Sequence, residues 1–197
     1  MRTLAYFLLA ALAALTFVLH RSSETAAAQP ADLGLSSVAS ELARRSVTIR
    51  CEGVPGALMA AGGESGRTTF VDGKPGDTAY LQDGVCETLH RYARETRSGF
   101  HCLLPCAAPL EVAWSLNALA HESYHLAGVR NESETECYAL QAIDFAAQRL
   151  GATPEQARAV AHFAYEQLPA RMPRTYTSSK CRDRAAYDLR PSDPTWP

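Results

Sequence analysis

Apolar positions along the chain follow two different periods. Over 109–127 (PLEVAWSLNALAHESYHLA) and 132–150 (ESETECYALQAIDFAAQRL) they recur every three or four residues, which predicts two long helices. Pro109 suits a first helical position, and Gly128 and Gly151 are stops. Asn131 is the expected cap of the second helix, with Glu134 three residues on as its capping-box partner. The run Thr153-Pro154-Glu155-Gln156 repeats that pattern and opens a third helix reaching about residue 168. Residues 31–45 and 85–97 predict two more helices, and 98–108 a loop. Alternating or β-branched runs at 46–51 (SVTIRC), 67–72 (RTTFVD) and 78–82 (TAYLQ) read as short strands. No period of 20 to 50 residues recurs, which excludes a solenoid. The pattern implies an α+β domain, a short and mostly antiparallel sheet packed on helices.

The first thirty residues break this pattern. Arg2 precedes an uninterrupted apolar run, Thr3 to Leu19, with small residues at Ala26 and Ala28. This is the layout of a secretory leader cut after Ala28, or of an uncleaved anchor. The expected organisation is a leader over 1–28, a linker and helix over 29–45, a main domain over 46–190 and a tail over 191–197. Export to a secreted or extracytoplasmic location changes how the six cysteines read. Outside the cytosol they predict disulfides, and the alternative is a thiolate metal site using His101, Cys102 and Cys106. At 47% hydrophobic and 20% charged, with net charge −2, the composition is globular and carries no block of like charge. A nucleic-acid partner is not expected. Membrane association would come only through the leader, and nothing points beyond a monomer.

Residues 121–125 read His-Glu-Ser-Tyr-His. Four residues apart on a helix, His121 and His125 share a face and can hold one metal ion. Glu122 lies about 100° round the helix, beside such an ion rather than facing it. It can take a proton from water and return it to a leaving amine. The next helix offers the third ligand. With Glu132 taken as zero, Glu136, Ala139, Ile143, Ala146 and Leu150 all fall within about 40° of it, whereas Glu134 points about 200° away. A carboxylate on a buried stripe needs a partner or a metal. Glu132 is therefore the expected third ligand, and Glu136 the acceptor for a histidine N–H.

His121, Glu122 and His125, followed by Glu132-Ser-Glu-Thr-Glu136-Cys-Tyr-Ala, resemble the zincin zinc metallopeptidases and their glutamate-ligand branch, the gluzincins. The second run looks like the E-x-x-x-D helix of Ste24/HtpX-type peptidases, with Glu136 in place of the aspartate. Through Gly128 the sequence also follows the metzincin signature, but Asn131 stands where that signature requires a third ligand. The gluzincin resemblance implies Zn2+ as cofactor, a peptide or protein substrate, and an edge strand beside the active-site helix, for which 78–82 is the candidate. It also implies a downstream side chain that holds the oxyanion. Tyr176, His162 and Tyr165 are available, and Tyr176 is the one expected to be catalytic. A Cys137–Cys181 bridge would pin the segment bearing Tyr176 across the cleft. Two other functions fit the sequence: a disulfide-stabilised binding protein without turnover, or a zinc hydrolase of a non-peptide amide.

Overall fold

Helix α1, Leu33–Ala43, starts where the Asp32 side chain accepts the backbone N–H of Leu35 at 3.0 Å. This is a computed structural model that describes residues 30–53, 65–99, 108–193 and 196. The expected leader and the residues His101, Cys102 and Cys106 lie outside the described residues. Leu35, Val38, Ala39 and Ala43 turn inward from α1, so this helix is built into the core of the unit spanning Ala31–Pro197.

Three strands follow: β1 Thr48–Glu52, β2 Gly66–Val71 and β3 Lys74–Gln82, in the order β1-β3-β2. The expected antiparallel pairing holds for β2 with β3, while β1 runs parallel to β3, so the sheet is mixed. Asp72 and Gly73, both at positive φ (50° and 76°), make the tight hairpin turn between β2 and β3. Such a turn needs two residues that tolerate left-handed backbone, and Asp-Gly is a favoured pair. β3 also begins four residues earlier than 78–82 predicts. Pro75 and Gly76 read as breakers, but β1 reaches only from Thr78 to Gln82, so Pro75 sits where the strand has one neighbour.

This topology corrects the assignment of the edge strand. Residues 78–82 are the middle of the sheet, bonded on both sides, with Ala79 and Leu81 fully buried. The edge strand on the functional side is β2. Its residues 66, 68 and 70 are half-buried, while 67, 69 and 71 face solvent.

Helix α2, Asp83–Arg97, continues directly from β3 and is tied to β1 by the Cys51–Cys86 disulfide. Helices α3 (Pro109–Leu126), α4 (Glu132–Arg149) and α5 (Pro154–Gln167) follow with the predicted caps. Asn131 accepts from the Glu134 N–H, and Thr153 and Gln156 form a full capping box. The Glu134 carboxylate does not close the expected capping box at Asn131; it takes the Tyr138 hydroxyl at 2.9 Å and is half-buried, rather than turning wholly to solvent. Helix α3 touches α1, α2, α4, α5 and the sheet, which explains the near-complete burial of Val112, Leu116, Leu119 and Leu126.

Beyond α5 the chain makes two short 3-10 turns, Pro169–Arg171 and Arg174–Tyr176, and then an irregular segment. That segment is fastened to α4. Cys181 is bridged to Cys137, and the Gln141 side chain donates to the Tyr187 carbonyl (2.7 Å) and accepts from the Leu189 N–H (2.8 Å). Among the described residues no helix is long and apolar enough to cross a membrane.

Candidate metal centre

Helix α3 and strand β2 run side by side and form the two long walls of a cleft of about 560 Å³. Trp114 donates to Ser65, Glu122 meets Gly66 and Thr68, and Phe70 packs edge-on to His125, so strand and helix advance in the same direction. Trp114 and Ala118, apolar positions in line with the histidines, thus wall the cleft rather than only filling the core. The segment bearing Met172, Pro173 and Tyr176 supplies the remaining wall.

His121, His125 and Glu132 converge in this cleft, with one ligand atom from each lying within 4.8 Å of the others. Glu132 Oε2 is 3.1 Å from His121 Nε2 and 3.4 Å from His125 Nε2. Tetrahedral ligands at ordinary zinc bond lengths stand about 3.3–3.6 Å apart, close to both separations. The other ring nitrogens are already engaged. His121 Nδ1 donates to Glu136 at 3.0 Å, and His125 Nδ1 donates to the Val129 carbonyl at 2.7 Å. With Nδ1 committed as the donor in each ring, neutral imidazoles direct their Nε2 lone pairs toward Glu132. The group can therefore hold a metal ion. Two imidazole nitrogens and one carboxylate suit a first-row transition ion or zinc better than calcium, which takes six to eight oxygens.

Glu136 lies where helical phase puts it, 3% exposed and bonded to His121. Asn131, the residue out of keeping with a metzincin, is committed to capping α4. The Glu136→Gln variant is expected to weaken metal binding 10- to 100-fold, because the ring of His121 loses its charged acceptor. Competition against a calibrated chelator measures this; unchanged affinity would remove Glu136 from the site.

Protonation in the metal-free protein follows from these contacts. Burial alone would lower the His121 pKa, but hydrogen bonds and charge from Glu132 and Glu136 outweigh it and raise the group to about 9. The His121 bond holds Glu132 below the ordinary carboxylate range. Burial and the neighbouring His121 charge push His125 down, so it stays neutral. At neutral pH a proton on His121 Nε2 thus bridges to Glu132 where a cation would sit. Proton and metal compete for that nitrogen, so affinity is expected to rise with pH until about 9, where the proton leaves unaided. Calorimetry in buffers of different ionisation enthalpy should detect about one proton released per ion near pH 7.5. No release would contradict the assignment.

Glu122 is 5% exposed and separate from the three donors. Its Oε2 accepts the Thr68 hydroxyl at 2.7 Å. A Cβ on Gly66 would fall 2.7 Å from Glu122 Cγ and 2.9 Å from Leu81, so only glycine lets β2 approach this closely. Neither Thr68 nor Gly66 carries a sequence signal for this role, since the pairing spans more than fifty residues. Of the three oxyanion candidates, only Tyr176 reaches the cleft, its ring 5.6 Å from His121. His162 is exposed beside Glu166, and Tyr165 packs against Trp196. One further cleft residue escaped the sequence reading. Asn117 donates to both oxygens of Glu136, at 3.0 and 3.2 Å. Its position one turn before His121, a polar residue between Trp114 and Ala118, was the available clue.

No family model, curated protein or solved structure matches this chain.

Proposed function

We propose that the chain is an exported zinc metallopeptidase of gluzincin type that hydrolyses peptide bonds. The observation that carries this is the presence in one cleft of a two-histidine, one-glutamate donor set and a second buried carboxylate, Glu122, outside that set. Three protein donors leave room for a further ligand, the arrangement typical of catalytic rather than structural zinc. A zinc ion there would supply the Lewis acidity that makes water acidic near neutral pH and polarises a carbonyl.

The chain's own residues would do the rest. Glu122 accepts a proton from the attacking water and passes it to the leaving nitrogen, with Thr68 fixing its Oε2. The Tyr176 hydroxyl donates to the oxygen that gains charge as the carbonyl is attacked. Edge strand β2 offers backbone groups to an extended peptide. Export is supported by Cys51–Cys86 and Cys137–Cys181, which suit an oxidising compartment, and by the apolar run at 3–19. The resemblance of residues 121–139 to the gluzincin motifs points the same way.

The test is elemental analysis of protein made in an oxidising compartment, together with a broad peptide panel assayed with and without a chelator. About one zinc per chain is expected, with cleavage lost on chelation and restored by zinc. Zinc-loaded protein that cleaves no peptide would leave a metal-stabilised binding protein. Protein that takes up no metal ends the proposal.

A further inference from the structure

Arg130 lines the cleft, is exposed, and makes no hydrogen bond or ion pair among the described residues. Its guanidinium lies over the Phe70 ring, 5.8 Å from the centroid, and a Cβ on Gly73 would stand 3.3 Å from its Nη1. The other two arginines of the cleft are engaged. Arg67 pairs with Glu52 at 2.6 Å, and Arg171 donates to the Gln167 carbonyl. The carboxylates closest to Arg130 in sequence are committed as well, Glu132 to the two histidines and Glu134 to Tyr138. A guanidinium carries five N–H donors and no acceptor, so Arg130 offers the cleft a planar fork that no described protein group fills.

The placement of this charge is fixed by its neighbours. Val129 is held on both of its backbone groups, its carbonyl by His125 Nδ1 and its N–H by the Tyr124 carbonyl, and Asn131 is held as the cap of α4. The backbone at 130 is therefore pinned between two anchored residues. Phe70, the ring beneath the guanidinium, stands edge-on to His125 at 5.9 Å. A cation within about 6 Å of an aromatic centroid is attracted to its face, which pre-positions the fork before anything binds. A positive charge thus stands one ring away from a metal donor. It lies at the end of the cleft toward which β2 and α3 both advance, opposite Trp114 and Ser65. A peptide paired antiparallel to β2 runs the other way, so the residues N-terminal to its cleaved bond pass Phe70 and Arg130.

We propose that Arg130 determines specificity, receiving a carboxylate that the substrate carries on the His125 side of the cleaved bond. The inference rests on the peptidase reading. It goes further in naming the substrate's chemistry and the residue that reads it. The guanidinium fork matches the two oxygens of a carboxylate, and a charged pair of this kind is stronger than a neutral one. Because Arg130 is exposed, the preference is moderate and weakens with salt. Two sources supply the same group: an acidic side chain N-terminal to the cleaved bond in an antiparallel peptide, or the C-terminal carboxylate of a peptide lying parallel to β2. A neutral amide of the same shape lacks the charge and one of the two acceptors.

Isosteric pairs isolate the charge from size. The host is acetyl-Ala-Ala-Ala-Leu-Ala-Ala-Ala-amide, with Glu replacing each Ala in turn and a Gln twin of every Glu peptide. One further pair ends in a free carboxylate or an amide. All would be titrated calorimetrically into zinc-loaded Glu122→Gln protein and offered to the wild type as substrates. In at least one pair the charged member is expected to bind about fivefold more tightly at low ionic strength, and less so at high. A Glu pair would assign an acidic side chain, the terminal pair a C-terminal carboxylate. The added Arg130→Gln substitution should bring that pair within about twofold, and Arg130→Glu should make a Lys peptide bind better than its Glu counterpart. Arg130 makes no hydrogen bond among the described residues, so both variants are expected to fold. If peptides bind and are cleaved but charged and neutral members are alike in every pair, or a preference outlives Arg130→Gln, the inference is overturned and the peptidase reading stands. If no peptide is bound or cleaved, the peptidase reading fails and this inference with it.

Discussion

Glu122→Gln is expected to lower peptide hydrolysis by about 100- to 10,000-fold and to leave metal content unchanged. The glutamine keeps the shape of the side chain and can still accept the Thr68 hydroxyl, now 2.7 Å from Oε2. It cannot take a proton from water at neutral pH. Because Glu122 stands outside the His121–His125–Glu132 group, its neutralisation should not release an ion. The measurement is kcat on a cleavable peptide beside zinc per chain for wild type and variant. Equal rates would dismiss Glu122 as the base, whereas loss of metal along with activity would make it a ligand. Thr68→Val, which keeps the bulk and removes the hydroxyl, should fall between: metal retained, kcat reduced, because Oε2 loses the hydroxyl that donates to it. A full loss of folding on Glu122→Gln is not expected, since the substitution removes a buried charge rather than adding one.

The second large effect is expected on removing the Cys137–Cys181 bridge by Cys137→Ala with Cys181→Ala. The bridge closes a loop with a sequence separation of 44, and the chain-entropy model puts its worth at about 4 kcal/mol. For a chain of this size that corresponds to a fall in melting temperature of roughly 8–16 °C. Activity should fall too, for a separate reason. Tyr176 stands five residues before Cys181, in a 3-10 turn that rests on α4, and the bridge together with Gln141 holds the segment there. Tyr176→Phe with the bridge intact isolates the hydroxyl. It is expected to lower kcat with little change in melting temperature. A double-cysteine variant as active as wild type, assayed well below its melting temperature, would show that the strap does not place Tyr176.

Local patterns carried much of this. The caps at Asn131 and Thr153, the stops at Gly128 and Gly151, and the phase that turned Glu132 and Glu136 toward His121 all depend on residues within a few positions of one another. A helix has one period, so which side chains share a face follows from counting. The sheet was harder to read. Pro75 and Gly76 are breakers by residue type, yet β3 runs through them from the Asp72-Gly73 turn that joins it to β2. Even correct strands would not have revealed their order, because strand preference describes a surface that a residue fits and not the neighbour it meets.

From its own letters the chain determines five helices, their ends and the three donors that can face one cation, since each of these is settled within a turn or two of backbone. Only the folded arrangement decides that β2 rather than β3 forms the edge, that Gly66 and Thr68 grip Glu122, that Tyr176 alone among its rivals reaches His121, and that Asn117 donates to the carboxylate behind His121. Those features join residues up to 56 positions apart through packing, and no short-range periodicity encodes which distant side chains meet.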